Sequence, residues 1–431
     1  MYNTIIIGAG ASGLMSAIIS VRKGEKVLLI EKMPQPALKL RITGKGRCNL
    51  TNTLPLKDFL KHCGSEPRFL YPAFTQFFHN ELITFFEDLG LITIEERGGR
   101  IFPKSGKAQD VFLAMINYLE ESNCTILKQT QVTKLIIEES QIKGVETISF
   151  ETSNKELCNH ERHKAIPLQK SYYSNKVILA AGGESYPQTG SSGDGIRLAK
   201  QAQHSIIETC PSLVGLKLKD YNPITEYPNL IDFELHNLRA IIKDKTGKKL
   251  CEEFGDIIFR ENAIEGPIIL TLSRQIASLA GKEKLLLELD LKPNIEQKTL
   301  DKKLLMEFDQ RGKENIKTSL RAFLPYELIA LAQAKCDIDF NKPTHQLSSS
   351  ERKLILHFLK NCNFEIIGTL GFERAVVTQG GVNLKEINPK TLESKLTKGL
   401  YFAGEVMDLD ADTGGFNLQI AFSTGYLAAQ N

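Results

Sequence analysis

The chain has 431 residues, 42% hydrophobic and 24% charged, with 54 basic against 51 acidic side chains. That length exceeds what one small core uses, so two or three domains are expected, and a net charge of +3 argues against a nucleic-acid partner. No apolar run reaches the ~18 residues of a membrane span, and eight scattered cysteines without CxxC spacing point to reduced thiols in a cytoplasm.

Met1 leads almost at once into an apolar strand, Thr4–Ile7, so a signal peptide is not expected. Gly8-Ala9-Gly10-Ala11-Ser12-Gly13 follows, then an amphipathic helix to about Lys23. Gly24 stops it, and a second apolar strand at 26–30 ends on Glu31. This is a complete βαβ dinucleotide fingerprint. Gly8 allows the tight turn, Gly10 lets the backbone approach a pyrophosphate, and Gly13 lets the helix pack close to the strand. The helix N-terminus offers free N–H groups to the phosphates, and Glu31 is placed to accept from a ribose diol. A bare glycine-rich turn is the alternative. The spacing of both strands, helix and acid favours a ligand.

Residues 32–52 read as a loop, and 69–89 have helical apolar spacing that suits core packing. A turn into a strand at 98–103, a helix at 108–121 and strands at 124–127, 131–138 and 144–152 are expected next. The polar stretch 153–171 reads as an extended hairpin loop. Its Cys158, His160 and His163 lie close together, but no second ligand pair is visible, so no metal site is assigned. A mostly apolar strand at 176–181 runs into Gly182-Gly183, and Gly190–Gly195 opens a helix at 194–203. From there the pattern is β, with strands at 214–218, 231–236, 239–243, 257–259 and 284–289. It then turns helical, at 296–310, 319–335 and 349–361. The end returns to the opening style, with a strand at 399–403, Gly404-Glu405, Gly414-Gly415 and a helix at 417–429. The domains expected are 1–204 and 366–431 as two parts of one dinucleotide-binding domain, with a β subdomain at 205–292 and a helical one at 293–365 inserted. Flavoproteins split in this way commonly end on a helix whose N-terminus stabilises charge at the flavin N1–C2=O edge.

Three further stretches are distinctive: ITGKGRCNLTN at 42–52, AAGGESYPQTGSSGDG at 180–195, and VTQGGVNLKEINPKTLESK with GLYFAGEVMDLDADTGGFNLQIAFSTG at 377–395 and 399–425. ERGGRIFPKSGKAQDV at 96–111 joins them. On these, the chain resembles the BaiN-like (YhiN-type) flavoproteins, FAD-dependent oxidoreductases of the glutathione-reductase and fumarate-reductase superfamily. The resemblance runs from the first strand to the last helix. It implies an α/β fold: a Rossmann-like FAD-binding domain split by an insertion with a barrel-like β subdomain and a helical subdomain.

It also implies FAD, not NAD, on the fingerprint. The ADP half would sit on Gly8, Gly10, Ala11, Ser12, Gly13 and Glu31, with Lys32 nearby and a backbone contact from Val132 to adenine. Gly46, Arg47, Cys48 and Asn49 would lie beside the isoalloxazine or pyrophosphate, with Ala181 and Gly182 also lining the site. Gly404, Glu405, Asp408, Gly414, Gly415, Asn417, Leu418 and Gln419 would hold the ribityl and pyrimidine parts. Two departures stand out. Lys45 replaces a glycine of the family's GGGRCN, and Arg260 with Ala263-Ile264-Glu265-Gly266-Pro267 replaces a Thr and a Gly-x-Ser-Gly-Pro turn.

Catalytic candidates are Cys48, Tyr186 and Thr378. Cys48 is either a redox thiol or, lacking a nearby resolving cysteine, a packing or FAD-cradling residue. Tyr186 is a proton donor or a structural tyrosine. Thr378 belongs to an active-site wall or a plain turn. The expected function is hydride transfer between flavin N5 and a small organic substrate at the insertion-domain interface. By resemblance this is reduction of an activated C=C bond. No second GxGxxG with a helix and acid follows, so NAD(P)H docks transiently or another donor serves. The alternatives are a flavin-dependent RNA-modifying protein, disfavoured because 205–365 is not strongly basic, and a non-catalytic flavin sensor.

Overall fold

Four short apolar strands and one mixed one make the central sheet. A computed structural model describes residues 1–64, 66–149 and 167–431. Thr4–Ile7, Val27–Ile30, Val177–Leu179 and Leu400–Phe402 are buried along their whole length. With Cys124–Leu127 they form a five-stranded parallel sheet in the order 400–402, 177–179, 4–7, 27–30, 124–127. Strands buried on both faces carry unbroken apolar runs, which is why they read as such.

Helix Ala11–Arg22 packs against the terminal helix Phe416–Gln430 almost backbone to backbone. A Cβ on Gly425 would lie 2.4 Å from the Ser12 carbonyl oxygen. Ser16 Oγ is 2.9 Å from the carbonyl oxygens of both Ser12 and Gly425. At the far end of the terminal helix, Lys23 Nζ donates to the carbonyls of Ala429 (3.0 Å) and Gln430 (2.8 Å), and Lys176 Nζ donates to Ala429 (3.0 Å). Cations at a helix C-terminus satisfy orphan carbonyls and favour the dipole.

The chain divides into two compact units, Met1–Pro211 with Val376–Asn431, and Ser212–Ala375. Besides the parallel sheet, the first holds a small antiparallel sheet of Thr51–Asn52, Arg100–Pro103 and Thr93–Glu96, and a meander of Thr130–Glu138, Gln141–Ser149 and Leu168–Tyr173. Most of the 153–171 stretch, with Cys158, His160 and His163, lies outside the described residues. The second unit is a closed six-stranded barrel: Leu216–Leu218, Ile264–Glu265, Lys249–Phe259, Glu234–Lys243, Leu285–Asp290 and Cys362–Thr369.

Several expected elements change. The helices Gln297–Gln310, Ile329–Cys336 and Ser349–Lys360 are inserted between the fifth and sixth barrel strands of that circuit. The β part therefore resumes at Cys362 instead of ending before the helices. The expected helix at 319–335 is broken, because Pro325 lacks an N–H and restricts the residue before it. The strands at 231–236 and 239–243 are one strand, Glu234–Lys243, with a register shift between Leu235 and Leu238. The 69–89 stretch splits at Phe77 and Phe78, whose extended backbones end Tyr71–Gln76 and begin His79–Asp88. Its aromatics nonetheless pack as core: Phe74 and Phe78 meet each other and Phe59, which in turn meets Phe416. The 32–52 loop contains a kinked helix, Leu38–Gly46.

A Cβ on Gly13 would lie 1.9 Å from the Gly8 carbonyl oxygen, so Gly13→Ala should push the first helix off its strand. Overpacking of this kind costs about 3 kcal/mol, to be read from urea unfolding. A second expectation concerns pH. Burial depresses Lys176 to about 8 from its ordinary 10.5, with Glu25 opposing and Lys23 adding. The unfolded chain holds this proton more tightly, so the Lys176 contribution to stability rises between about pH 8 and 10.5. Lys176→Met should remove that rise, measured as the difference between parent and variant thermal midpoints across the range.

Candidate cofactor cleft

An elongated cleft opens at the carboxyl ends of the parallel strands, where the strand order reverses beside Thr4–Ile7. Its floor is Gly8, Gly10, Ala11 and Ser12 at the start of the first helix. Gly8 has φ +98°, and a Cβ there would meet the Ala180 carbonyl oxygen at 2.6 Å. Gly10 differs: a Cβ would meet nothing within 4 Å, so the cleft is open over it. The first-turn N–H groups of Ala11–Arg22 have no carbonyl one turn earlier to bond.

Glu31 lies buried at one end, among Lys32, Thr130, Gln131 and Val132. Its Oε2 accepts from Ala9 N at 2.9 Å and its Oε1 from Met33 N at 2.8 Å. Burial raises its pKa, with the Met33 and Ala9 N–H groups and Lys32 opposing. One side wall is Ala37, Leu38, Lys39 and Leu40. The facing wall is Ala181, Gly182, Gly190, Ser191 and Asp194. The other end holds Val377, Glu405 and Leu409, with Asn417 and Leu418 from the first turn of the terminal helix.

Twelve of the residues expected at the cofactor thus come together: Gly8, Gly10, Ala11, Ser12, Glu31, Lys32, Val132, Ala181, Gly182, Glu405, Asn417 and Leu418 all line the cleft. The others stand off its walls. Gly13 packs behind the floor, and Gly404 N donates to Thr424 Oγ1 at 3.0 Å. Gly415 packs on Thr51, where a Cβ would lie 2.4 Å from the carbonyl oxygen, and Gly414 O accepts from Asn52 Nδ2 at 3.4 Å. Gln419 follows Leu418 by one residue and so faces the core. Its Nε2 is 2.8 Å from Ser423 Oγ.

Gly46, Arg47 and Asn49 likewise sit away from the cleft lining. Arg47 pairs with Glu96 and lies 4.4 Å over the Phe102 ring. Cys48 is fully buried in the core, and burial pushes its thiol up to about 12. A thiol held protonated there packs; it is a poor nucleophile. Tyr186 sits at φ +55°, ahead of a tight turn, Pro187–Thr189, outside the cleft lining. Thr378 belongs to the strand Val377–Val382 and is buried. Its Oγ1 accepts from Glu184 N (2.9 Å) and Ser185 N (3.0 Å), so it fixes the loop after the Val177–Leu179 strand. Asp408 accepts from Gly380 N at 3.1 Å, and burial, then neighbouring Asp410, raises its pKa.

Sequence reasoning missed Lys39 and Ser185. Lys39 Nζ donates to Ser185 Oγ at 2.6 Å and to Glu405 Oε2 at 3.0 Å. Ser185 Oγ and Thr378 N donate to the other Glu405 oxygen. These groups are distant in sequence and share no local spacing that could have signalled them. The two departures also find places. Lys45 is exposed at φ +56°, a conformation a glycine adopts without strain. Arg260 and Glu265 pair with each other at 3.1 Å, and Arg260 also pairs with Asp232.

Among the described residues, no group of three His, Cys, Asp or Glu is placed to hold a metal ion, and no helix is long and apolar enough to cross a membrane.

The chain is 30% identical over 430 residues to a 3-dehydro-bile acid delta(4,6)-reductase of Clostridium scindens, covering 99% of this chain and 97% of that protein. It is 26% identical over 434 residues to the ribosomal RNA dihydrouridine synthase of Escherichia coli, covering 100% and 98%. Among solved structures it is similar to a 3-ketosteroid-delta4-(5alpha)-dehydrogenase of Rhodococcus jostii, with 12% identity, coverage of 100% and 95%, and a TM-score of 0.48. The family described as HI0933-like protein Rossmann domain matches residues 2–431, in keeping with the resemblance carried by the GRCN and GEVMD stretches. The chain belongs to the HI0933-like family of Rossmann-domain proteins.

Proposed function

We propose that this chain is an FAD-dependent reductase that delivers hydride to a C=C bond conjugated with a carbonyl group. The observation that carries the reading is the cleft walled by both ends of the chain, with a helix N-terminus and a bare Gly10 at its floor and a buried carboxylate at one end. These residues fit FAD. The first-turn N–H groups of Ala11–Arg22 suit a diphosphate, and the absent Cβ at Gly10 leaves room for it. Each Glu31 oxygen accepts one N–H bond and retains acceptor capacity for ribose hydroxyls. Asn417 and Leu418 bring the positive end of the terminal helix to the opposite end, where it favours negative charge.

Bound FAD would supply two-electron hydride chemistry. The protein's part is to bind, orient and exclude water. Lys39, Ser185 and the Thr378 N–H hold Glu405 in a fixed orientation in the cleft wall. Cys48 is assigned a packing role, since it is fully buried and burial pushes its thiol up to about 12. NAD(P)H is the proposed donor and docks transiently, because the chain carries one GxGxxG βαβ fingerprint and the cleft over it is assigned to FAD.

The substrate class rests on the relatives' names. A bile acid delta(4,6)-reductase saturates alkene bonds, and a dihydrouridine synthase saturates one in a pyrimidine. The chemistry shared is hydride addition to a polarised alkene. A small organic substrate is favoured over RNA because Ser212–Ala375 carries nearly equal numbers of basic and acidic residues, with no excess for a phosphate backbone.

The purified protein should carry FAD and oxidise NADH or NADPH in the presence of a steroid or other enone, with loss of the enone absorbance. A flavin that donors reduce but only ribosomal RNA reoxidises would instead identify the RNA-modifying reading. A flavin inert to both nucleotides would identify a sensor. Gly10→Ala tests the cleft. Its φ of −79° suits alanine and no protein atom crowds the added carbon, so unfolding should be unchanged to within about 0.5 kcal/mol. Flavin retention should fall at least about ten-fold, as a methyl group displaces the diphosphate.

A further inference from the structure

Two lysines seven residues apart grip the two ends of one loop on the opposite side of the cleft. Both leave the segment after the second strand, which supplies one cleft wall. Lys32 Nζ donates to Asp194 Oδ2 at 2.7 Å and to Ser192 Oγ. Lys39 Nζ donates to Ser185 Oγ at 2.6 Å and to the Ser185 carbonyl at 3.4 Å. Ser185, Ser192 and Asp194 bracket the loop that supplies the facing wall. Gln131 Nε2 adds a third tie, to Asp194 Oδ1 at 3.1 Å.

Thr378 fixes the start of the loop, and its tip turns on two glycines. Gly190 and Gly193 stand at φ +107° and +81°, on either side of Ser191-Ser192. At the tip, Ser192 N donates to Gly190 O and Gly193 N to Gly183 O, both within the loop itself, and Gly190 sits against the Met33 side chain. The Asp194 carboxyl is half-buried. Burial works to raise its pKa, yet the Lys32 hydrogen bond and charge, with Arg197 and Gln131, hold it below the ordinary value.

We propose that Lys32 and Lys39 are positioning residues that latch the loop 182–194 across the cofactor cleft, so that FAD leaves only when the latch opens. This rests on the reading of the cleft as the FAD site. Both lysines are already committed to partners on the far wall, so their charge closes the cleft instead of waiting for the diphosphate. The helix N-terminus is left to meet the phosphates.

The test is the rate at which FAD leaves the holoprotein on dilution, followed by the rise of free flavin fluorescence. Lys32→Met and Asp194→Asn should each speed release about five-fold, the effect of losing one partly buried ion pair. Lys39→Met should do the same, and the Lys32→Met/Lys39→Met double variant should release faster than either. The charge swap Lys32→Asp/Asp194→Lys should return the rate to within about two-fold of the parent, a rescue that independent cofactor contacts would not give. High salt should speed release from the parent more than from Lys32→Met. Asp194→Asn is nearly isosteric, and its apo-protein thermal midpoint checks that folding is intact. If Lys32→Met weakens FAD binding while Asp194→Asn tightens it, Lys32 is a direct phosphate ligand and the latch is overturned. Unchanged release rates in all variants overturn it as well. A parent protein that takes up no FAD overturns the FAD reading and the latch together, and is distinguishable from both other results.

Discussion

The close approach of the first and last helices is the constraint on which the rest depends. Gly425 has no side chain because the Ser12 backbone occupies that space, and Ser16 ties both helix backbones at once. Helices normally pack 8–10 Å apart with side chains between them. Here small residues remove that spacer over one turn. The result is that the floor of the cleft, from Gly8 to Ser12, and its far end, Asn417 and Leu418, belong to one rigid layer although more than 400 residues separate them.

On that layer the charges are arranged in pairs. Five ionisable side chains line the cleft: Glu31, Asp194 and Glu405, with Lys32 and Lys39. The lysines neutralise Asp194 and Glu405, and Glu31 is held by backbone N–H groups instead of a cation. The walls therefore contribute little net attraction for an anion. Affinity for a diphosphate has to come from the aligned peptide groups of the helix terminus, which need no side-chain ordering. On the proposed FAD reading, such a site suits a ligand that is anionic in its middle and hydroxyl-rich at the Glu31 end.

How much of this was legible in the sequence follows from the range of each interaction. The fingerprint was readable because each glycine answers to a neighbour within one βαβ unit, as Gly13 does to Gly8. The buried parallel strands announced themselves by unbroken apolar runs. The break at Phe77–Phe78 was not readable, since apolar residues continue at helical spacing through it. Strand Lys249–Phe259 was largely missed because much of its side-chain surface faces outward and its pattern is polar. Lys39 and Ser185 meet only in three dimensions, 146 residues apart, and a lone lysine or serine carries no spacing. Gln419 shows the converse. It belongs to a distinctive stretch, GGFNLQ, yet the turn of the helix takes it to the core while Leu418 faces the cleft.

The insertion of helices between the fifth and sixth barrel strands has a consequence for how the chain acquires its structure. Leu285–Asp290 cannot pair with Cys362–Thr369 until the helical residues between them have been made, so the barrel closes late in synthesis. The parallel sheet waits longer still. Its edge strand Leu400–Phe402 and the helix that covers it come from the last 32 residues of the chain. A nascent chain emerging from the ribosome therefore displays the Gly8–Gly13 turn early, without the layer that completes its cleft. The cleft is complete only once the terminal helix has docked on Ser12 and Ser16. Until then the apolar faces of the first strands and helix are exposed, which makes the interval between synthesis and docking the period in which this protein is most open to misassembly.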